Sequence, residues 1–199
     1  SVGDQRVVDV VVRPDGRIWH QLDAVPTVVV GDTVTGTVDW ARRFDHMQQH
    51  TGQHVLSAEL ARLFDARTVG FHLGADEATI DLNRPLSVDQ VSEGESAANV
   101  VVWDDRPIEI RFVTDQEAAQ LDLRKPSRRT GPIRLVEIAG CDRSACGGTH
   151  VGRSGAVGVI AVSFCDRYKG GSRMGFVCGG RALRLFRRQH QELTRSAQR

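Results

Sequence analysis

The sequence predicts an α+β protein: a short N-terminal β-barrel-like segment, then an α/β domain with an antiparallel sheet and one long helix. Three observations predict it. The hydrophobic period changes from strand-like to helical near residue 41, two Ser/Thr-x-x-Gln/Glu capping boxes open later helices, and Gly, Pro and Asp punctuate short β-branched runs. The expected divisions are residues 1–40 for an incomplete barrel, 41–180 for the main domain and 181–199 for a terminal helix or connector.

In chain order, Val7–Val12 and residues 17–22 flank the turn Arg13-Pro14-Asp15-Gly16, and residues 27–30 and 33–38 read as two more strands. Behind Asp39 as N-cap, Phe44, Met47, Val55, Leu56, Leu60, Leu63 and Phe64 form one stripe at helical spacing, so residues 41–64 are predicted as a single helix. Gly52 lies inside it at a cost of about 1 kcal/mol relative to Ala, which implies that something other than propensity keeps that position small. Strands follow at Thr68–Leu73 and Ala78–Leu82, then a helix from Val88 with Ser87 and Gln90 as its box. Ile108–Val113 is the next strand, and Thr114 with Glu117 starts a short helix ending near Leu121. Residues 124–131 read as an exposed basic loop. Strands at Ile133–Ile138, 156–163 and 173–178 precede an Arg-rich helix from 181 to about 198.

The 199 residues carry 26 Lys and Arg against 25 Asp and Glu, a net charge of +1. That average hides a division: residues 1–123 hold 10 basic and 21 acidic residues, and residues 124–199 hold 16 and 4. A basic stretch of this kind either suits a polyanion or packs against the acidic part as a complementary face. No apolar run approaches the ~18 residues of a membrane span, and the first residues lack the core of a signal peptide, so a soluble cytoplasmic protein is expected. Position 1 is Ser rather than Met, which suggests a fragment or processed chain. Cys141, Cys146, Cys165 and Cys178 lack CxxC spacing, and without a secretory signal a disulfide framework is not expected.

His46, His50 and His54 sit at i, i+4 and i+8 on the predicted long helix, so adjacent pairs can chelate one ion. Cys146-Gly147-Gly148-Thr149-His150 supplies a thiolate and an imidazole across two glycines that let the backbone fold tightly. Together, His50, His54, Cys146 and His150 make a Cys-His₃ set of the kind zinc favours. His46 and Cys141 remain rival ligands.

Residues 43–58, RFDHMQQHTGQHVLSA, resemble the first motif of the alanyl-tRNA synthetase editing domain and its free-standing AlaX-type relatives, and CGGTHV at 146–151 resembles the second. TVGFHLG at 68–74 with TIDL at 79–82 resembles the substrate-pocket strands of the free-standing proteins, and GPIR at 131–134, KGGSR at 169–173 and GGRAL at 179–183 extend the likeness over nearly the whole chain. The resemblance implies hydrolysis of the ester joining a wrong amino acid, chiefly serine and in some members glycine, to alanine tRNA. An alanine site excludes these amino acids poorly, so a second site must remove them.

It further implies Zn²⁺ on His50, His54, Cys146 and His150, and substrate contacts from Thr68, His72, Gly148 and Thr149. A tRNA acceptor end would be gripped by Arg128, Arg129, Arg134, Arg143, Lys169 and Arg173. Two other readings stay open: the editing module of a full alanyl- or threonyl-tRNA synthetase, and a non-catalytic, zinc-stabilised tRNA-binding module. Four protein ligands usually close a structural zinc site, whereas hydrolytic zinc keeps a position for water, and the sequence does not choose between them.

Overall fold

The computed structural model describes residues 1–126 and 131–197. It contains two compact units, Ser1–Arg43 and Phe44–Arg199.

In the first unit, β1 (Val7–Val12) and β2 (Ile18–Leu22) form an antiparallel ribbon. The turn between them is closed by Gly16 N–H on Arg13 O at 2.9 Å, and the Arg13 guanidinium lies 3.8 Å from the Trp19 ring centroid. The strands expected at 27–30 and 33–38 do not form, and no closed barrel exists among the described residues. The local chemistry competes with a ladder: the Asp32 carboxylate takes the Val29 N–H at 3.0 Å while Asp32 N–H returns to Val29 O at 3.1 Å. An isolated bridge, Val2 to Gly36, and hydrogen bonds from the Ser1 ammonium to Thr37 O at 2.7 Å and from Gln5 Nε2 to Val25 O at 2.8 Å tie the later residues to the start of this unit.

The second unit is built round α1 (Trp40–Phe64), whose first turn Asp39 caps through Oδ1 on Arg42 N–H at 3.0 Å. An antiparallel sheet runs β3 (Thr68–Leu73), β4 (Ala78–Leu82), β9 (Gly171–Cys178), β8 (Ile160–Tyr168), with β8 and β9 joined by a tight turn at Lys169-Gly170. α2 (Val88–Trp103), opened by the Ser87–Gln90 box, packs on β8. A second sheet, β5 (Ile108–Val113), β6 (Ile133–Ile138) and β7 (Asp142–Ala145), carries the short α3 (Asp115–Ala119) behind its Thr114–Glu117 box. α4 (Gly180–Ala197) closes the described chain.

One further expectation needs correction here. Residues 156–163 are not one strand, because Ser154–Val157 is a 3₁₀ turn and β8 starts at Ile160. The polar strand β7 was not anticipated at all.

α1 is buried on every side from Thr51 to Leu60 rather than along one stripe. Val55, Leu56 and Leu60 pack with Ile80, Leu82, Met174 and Phe176 in the main core. Its buried polar residues must then find partners, because an unpaired buried polar group costs roughly 1–3 kcal/mol. Gln49 provides one solution: its amide receives Cys178 N–H at 2.7 Å and donates to Cys178 O at 3.1 Å, imitating a strand neighbour. Asn99 on α2 does the same to Ile160 at 2.9 and 2.8 Å. Gly52 is where the helix meets β9: a Cβ there would stand 2.3 Å from Cys178 Sγ, the packing reason for the small residue.

Candidate metal centre

His50 and His54 lie one turn apart on α1, and Cys146 and His150 come from the loop after β7. Their ligand atoms all fall within 4.8 Å of one another, a group that could hold a metal ion. Cys146 Sγ is 3.4 Å from His50 Nε2 and 3.5 Å from His150 Nε2. Neither rival joins the group among the described residues. Cys141 instead lies with its Sγ 3.9 Å from Glu59 Oε1, and burial together with the Glu59 charge pushes its thiol up to about 12.

The ligands are held by neighbours that their spacing in the sequence did not announce. His54 Nδ1 donates to Asp142 Oδ2 at 2.7 Å, which leaves Nε2 as the coordinating nitrogen. Asp142 is buried and also accepts Arg124 Nε at 2.5 Å and Ser144 Oγ at 3.1 Å. Burial alone would raise the Asp142 carboxyl, but His54 and Arg124 outweigh it and bring it down to about 2. Arg124 is thus drawn inward from the loop expected to be exposed. In the tautomer that leaves Nε2 free, His150 Nδ1 donates to Thr51 Oγ1 at 3.2 Å, and Thr51 also accepts Val151 N–H at 3.2 Å. Phe71 of β3 stacks on His50 with ring centroids 5.6 Å apart.

Electrostatics favour the ligand form of the cysteine. Burial would push the Cys146 thiol up, but the imidazoles of His150, His50 and His54 and the Gly148 N–H bring it down to about 3. His150 is lowered to about 4, first by burial and then by the neighbouring His54 and His50 charges.

Gly148 has a steric role: a Cβ there would lie 2.1 Å from His50 Cε1. Thr149 is exposed beside it. Arg134, expected on tRNA, instead clamps this loop, with Nη1 donating to Cys146 O at 2.7 Å and Gly148 O at 2.8 Å. Thr68 pairs with Leu82 and Phe71 with Ile80, so these two share the core-facing side of β3. His72 pairs with Thr79 and stands on the opposite, exposed side, so the structure does not bring it to the cluster. Arg173 occupies that outer side too, with Nε and Nη2 on Asp81 at 2.6 and 2.8 Å and its guanidinium over Tyr168. Arg143 pairs with Glu137, while Lys169 is exposed at the β8–β9 turn. Arg128 and Arg129 lie outside the described residues.

No protein-family model matches the chain. It is 37% identical over 165 residues to the alanyl-tRNA editing protein Aarsd1 of Mus musculus, covering 80% of this chain and 40% of that protein. It is 38% identical over 183 residues to the alanyl-tRNA editing protein AlaX-L of Pyrococcus horikoshii, covering 89% and 45%. An alanine–tRNA ligase of Pyrococcus furiosus is 31% identical over 190 residues, 91% of this chain and 21% of the ligase. The chain therefore spans less than half the length of these relatives. Over those segments the chain is similar to alanyl-tRNA editing proteins and to part of an alanine–tRNA ligase.

Proposed function

We propose that the chain is a zinc-dependent aminoacyl-tRNA deacylase that acts in the cytoplasm, hydrolysing the ester of mischarged alanine tRNA, Ser-tRNA(Ala) and Gly-tRNA(Ala), in trans. One observation carries the reading: in a chain similar to alanyl-tRNA editing proteins, His50 and His54 converge with Cys146 and His150, Cys146 lying 96 residues after His50, so that their ligand atoms fall within 4.8 Å of one another. The sulfur–nitrogen separations of 3.4 and 3.5 Å suit zinc. Zn–S of about 2.3 Å and Zn–N of about 2.0–2.1 Å in a tetrahedron give an edge of about 3.6 Å. Residues 41–180 are assigned as the editing domain and 181–199 as a C-terminal helix or connector.

His50, His54, Cys146 and His150 would hold the zinc, which would supply a positive charge to orient and polarise the aminoacyl ester. The chain's own residues do the rest of the positioning. Asp142 and Thr51 fix the two imidazoles, Arg134 fixes the Cys146–Gly148 backbone, and Phe71 covers one face of His50. Cys146 is committed as a ligand, so water is the nucleophile and the ribose hydroxyl is the leaving group. Thr68, on the side of β3 that carries Phe71, offers a hydroxyl to the substrate side chain.

The all-protein ligand set supports a second reading, a structural zinc in a tRNA-binding module. Metal analysis and deacylation of seryl-, glycyl- and alanyl-tRNA(Ala) decide between them. We expect hydrolysis of the first two, and loss of both zinc and activity in Cys146→Ala. Binding without turnover selects the module, equal hydrolysis of the alanyl ester defeats editing, and full activity in a zinc-free variant defeats the metal assignment.

A further inference from the structure

α1 buries two polar side chains, Gln53 and Ser57, that the metal group does not use. Gln53 Nε2 donates to Ser57 Oγ at 2.8 Å, and Ser57 Oγ lies 2.6 Å from Thr68 Oγ1. Ser57 is wholly buried, and these are its two hydrogen-bond partners among the described residues. A hydroxyl has one hydrogen to give. With the Gln53 amide donating to Ser57, the arrangement that also uses the Ser57 hydrogen sends it to Thr68 Oγ1. In that arrangement Thr68 receives from Ser57 and keeps its own hydrogen for another acceptor.

We infer that Gln53 and Ser57 are positioning residues that set Thr68 as a hydrogen-bond donor, so that the site selects an aminoacyl ester whose side chain carries an oxygen acceptor. This rests on the deacylase reading and deepens it. A seryl side chain supplies the acceptor, a glycyl ester has nothing to place there, and the alanyl methyl would leave the donor unpaired. Hydrogen bonding of this kind discriminates more strongly than pocket size, because a donor covered by the bound ester and left without a partner is costly.

The readout is the ratio of kcat/KM for seryl- over glycyl-tRNA(Ala), with zinc content measured in parallel. Ser57→Ala is expected to lower the ratio about tenfold with zinc retained, Ser57→Thr to restore it, and the isosteric Thr68→Val to lower it at least as far. Ser57→Ala added to Thr68→Val is expected to change the ratio no further, since a positioning residue acts only through its target. Should Ser57→Ala not fold, Ser57→Cys, of similar size and a weak donor, takes its place. An unchanged ratio in Ser57→Ala, or additive losses in the double variant, overturns the inference alone. A wild-type chain that hydrolyses neither ester overturns the deacylase reading and this inference with it.

Discussion

Asp142, though not among the candidate ligands, gathers part of the candidate metal centre round it. It fixes the His54 ring, holds Arg124 and accepts from Ser144, all from a buried position. An ionised carboxylate there is tolerable only because these donors surround it. Substituting Asp142→Asn keeps the shape but removes the charge that orients His54 and pairs Arg124. The expected outcome is zinc affinity weaker by about 10–100-fold, read by competition with a chromophoric chelator. Unchanged affinity would remove Asp142 from the site. The same residue also explains a gap in the sequence reading. β7 alternates inward and outward as a half-buried strand should, but its inward residues are Asp142 and Ser144, so no hydrophobic alternation marked it.

At the scale of elements, α1 had the right extent and the wrong environment. Periodicity finds a helix by its apolar residues, and Val55, Leu56 and Leu60 are indeed in the core. It is blind to polar residues buried against specific partners, which is how Thr51, Gln53, His54 and Ser57 sit. The four candidate ligands were legible because the chemistry of ligand pairs leaves a spacing in the sequence; their supports in Asp142, Arg124 and Arg134 leave none. The N-terminal strands show the converse, since β-branched runs without a partner edge do not make a barrel.

Gly52 turns the packing of α1 on β9 into a measurable quantity. Gly52→Ala gains about 1 kcal/mol of helix propensity, whereas overpacking against Cys178 costs about 1–3 kcal/mol. We expect a net loss of about 1 kcal/mol in urea unfolding, relieved in Gly52→Ala/Cys178→Ala because the nearest remaining atoms lie at 3.4 and 3.6 Å. If the two substitutions are simply additive, the Cys178 contact is not what keeps position 52 small.

Across the molecule, the acidic and basic parts of the sequence answer each other. Asp45 pairs with Arg181, Asp81 with Arg173 and Asp105 with Arg153, so part of the basic excess neutralises carboxylates from the first 123 residues. Arg173 keeps the Asp81 carboxyl below its ordinary value despite the opposing effect of burial. Of the described cations expected on tRNA, Arg134 is held by the Cys146 and Gly148 carbonyls and Arg143 and Arg173 by carboxylates, whereas Lys169 makes only a ring contact, its Nζ 5.1 Å from the Tyr168 centroid. Lys169→Ala should therefore weaken tRNA binding and reduce the slope of log affinity against log salt by about one unit, as measured by titration at several salt concentrations. An unchanged slope would place the β8–β9 turn outside the interface.

The order in which a ribosome releases this chain adds a consequence. His50 and Cys146, neighbours in the cluster, are 96 residues apart in sequence, and β9, which accepts Gln49 and covers Gly52, is made later still. A nascent chain therefore presents α1 with its polar side chains still dependent on water. The complete ligand set comes together only after most of the unit has been synthesised, so a truncated chain lacks the four-ligand site.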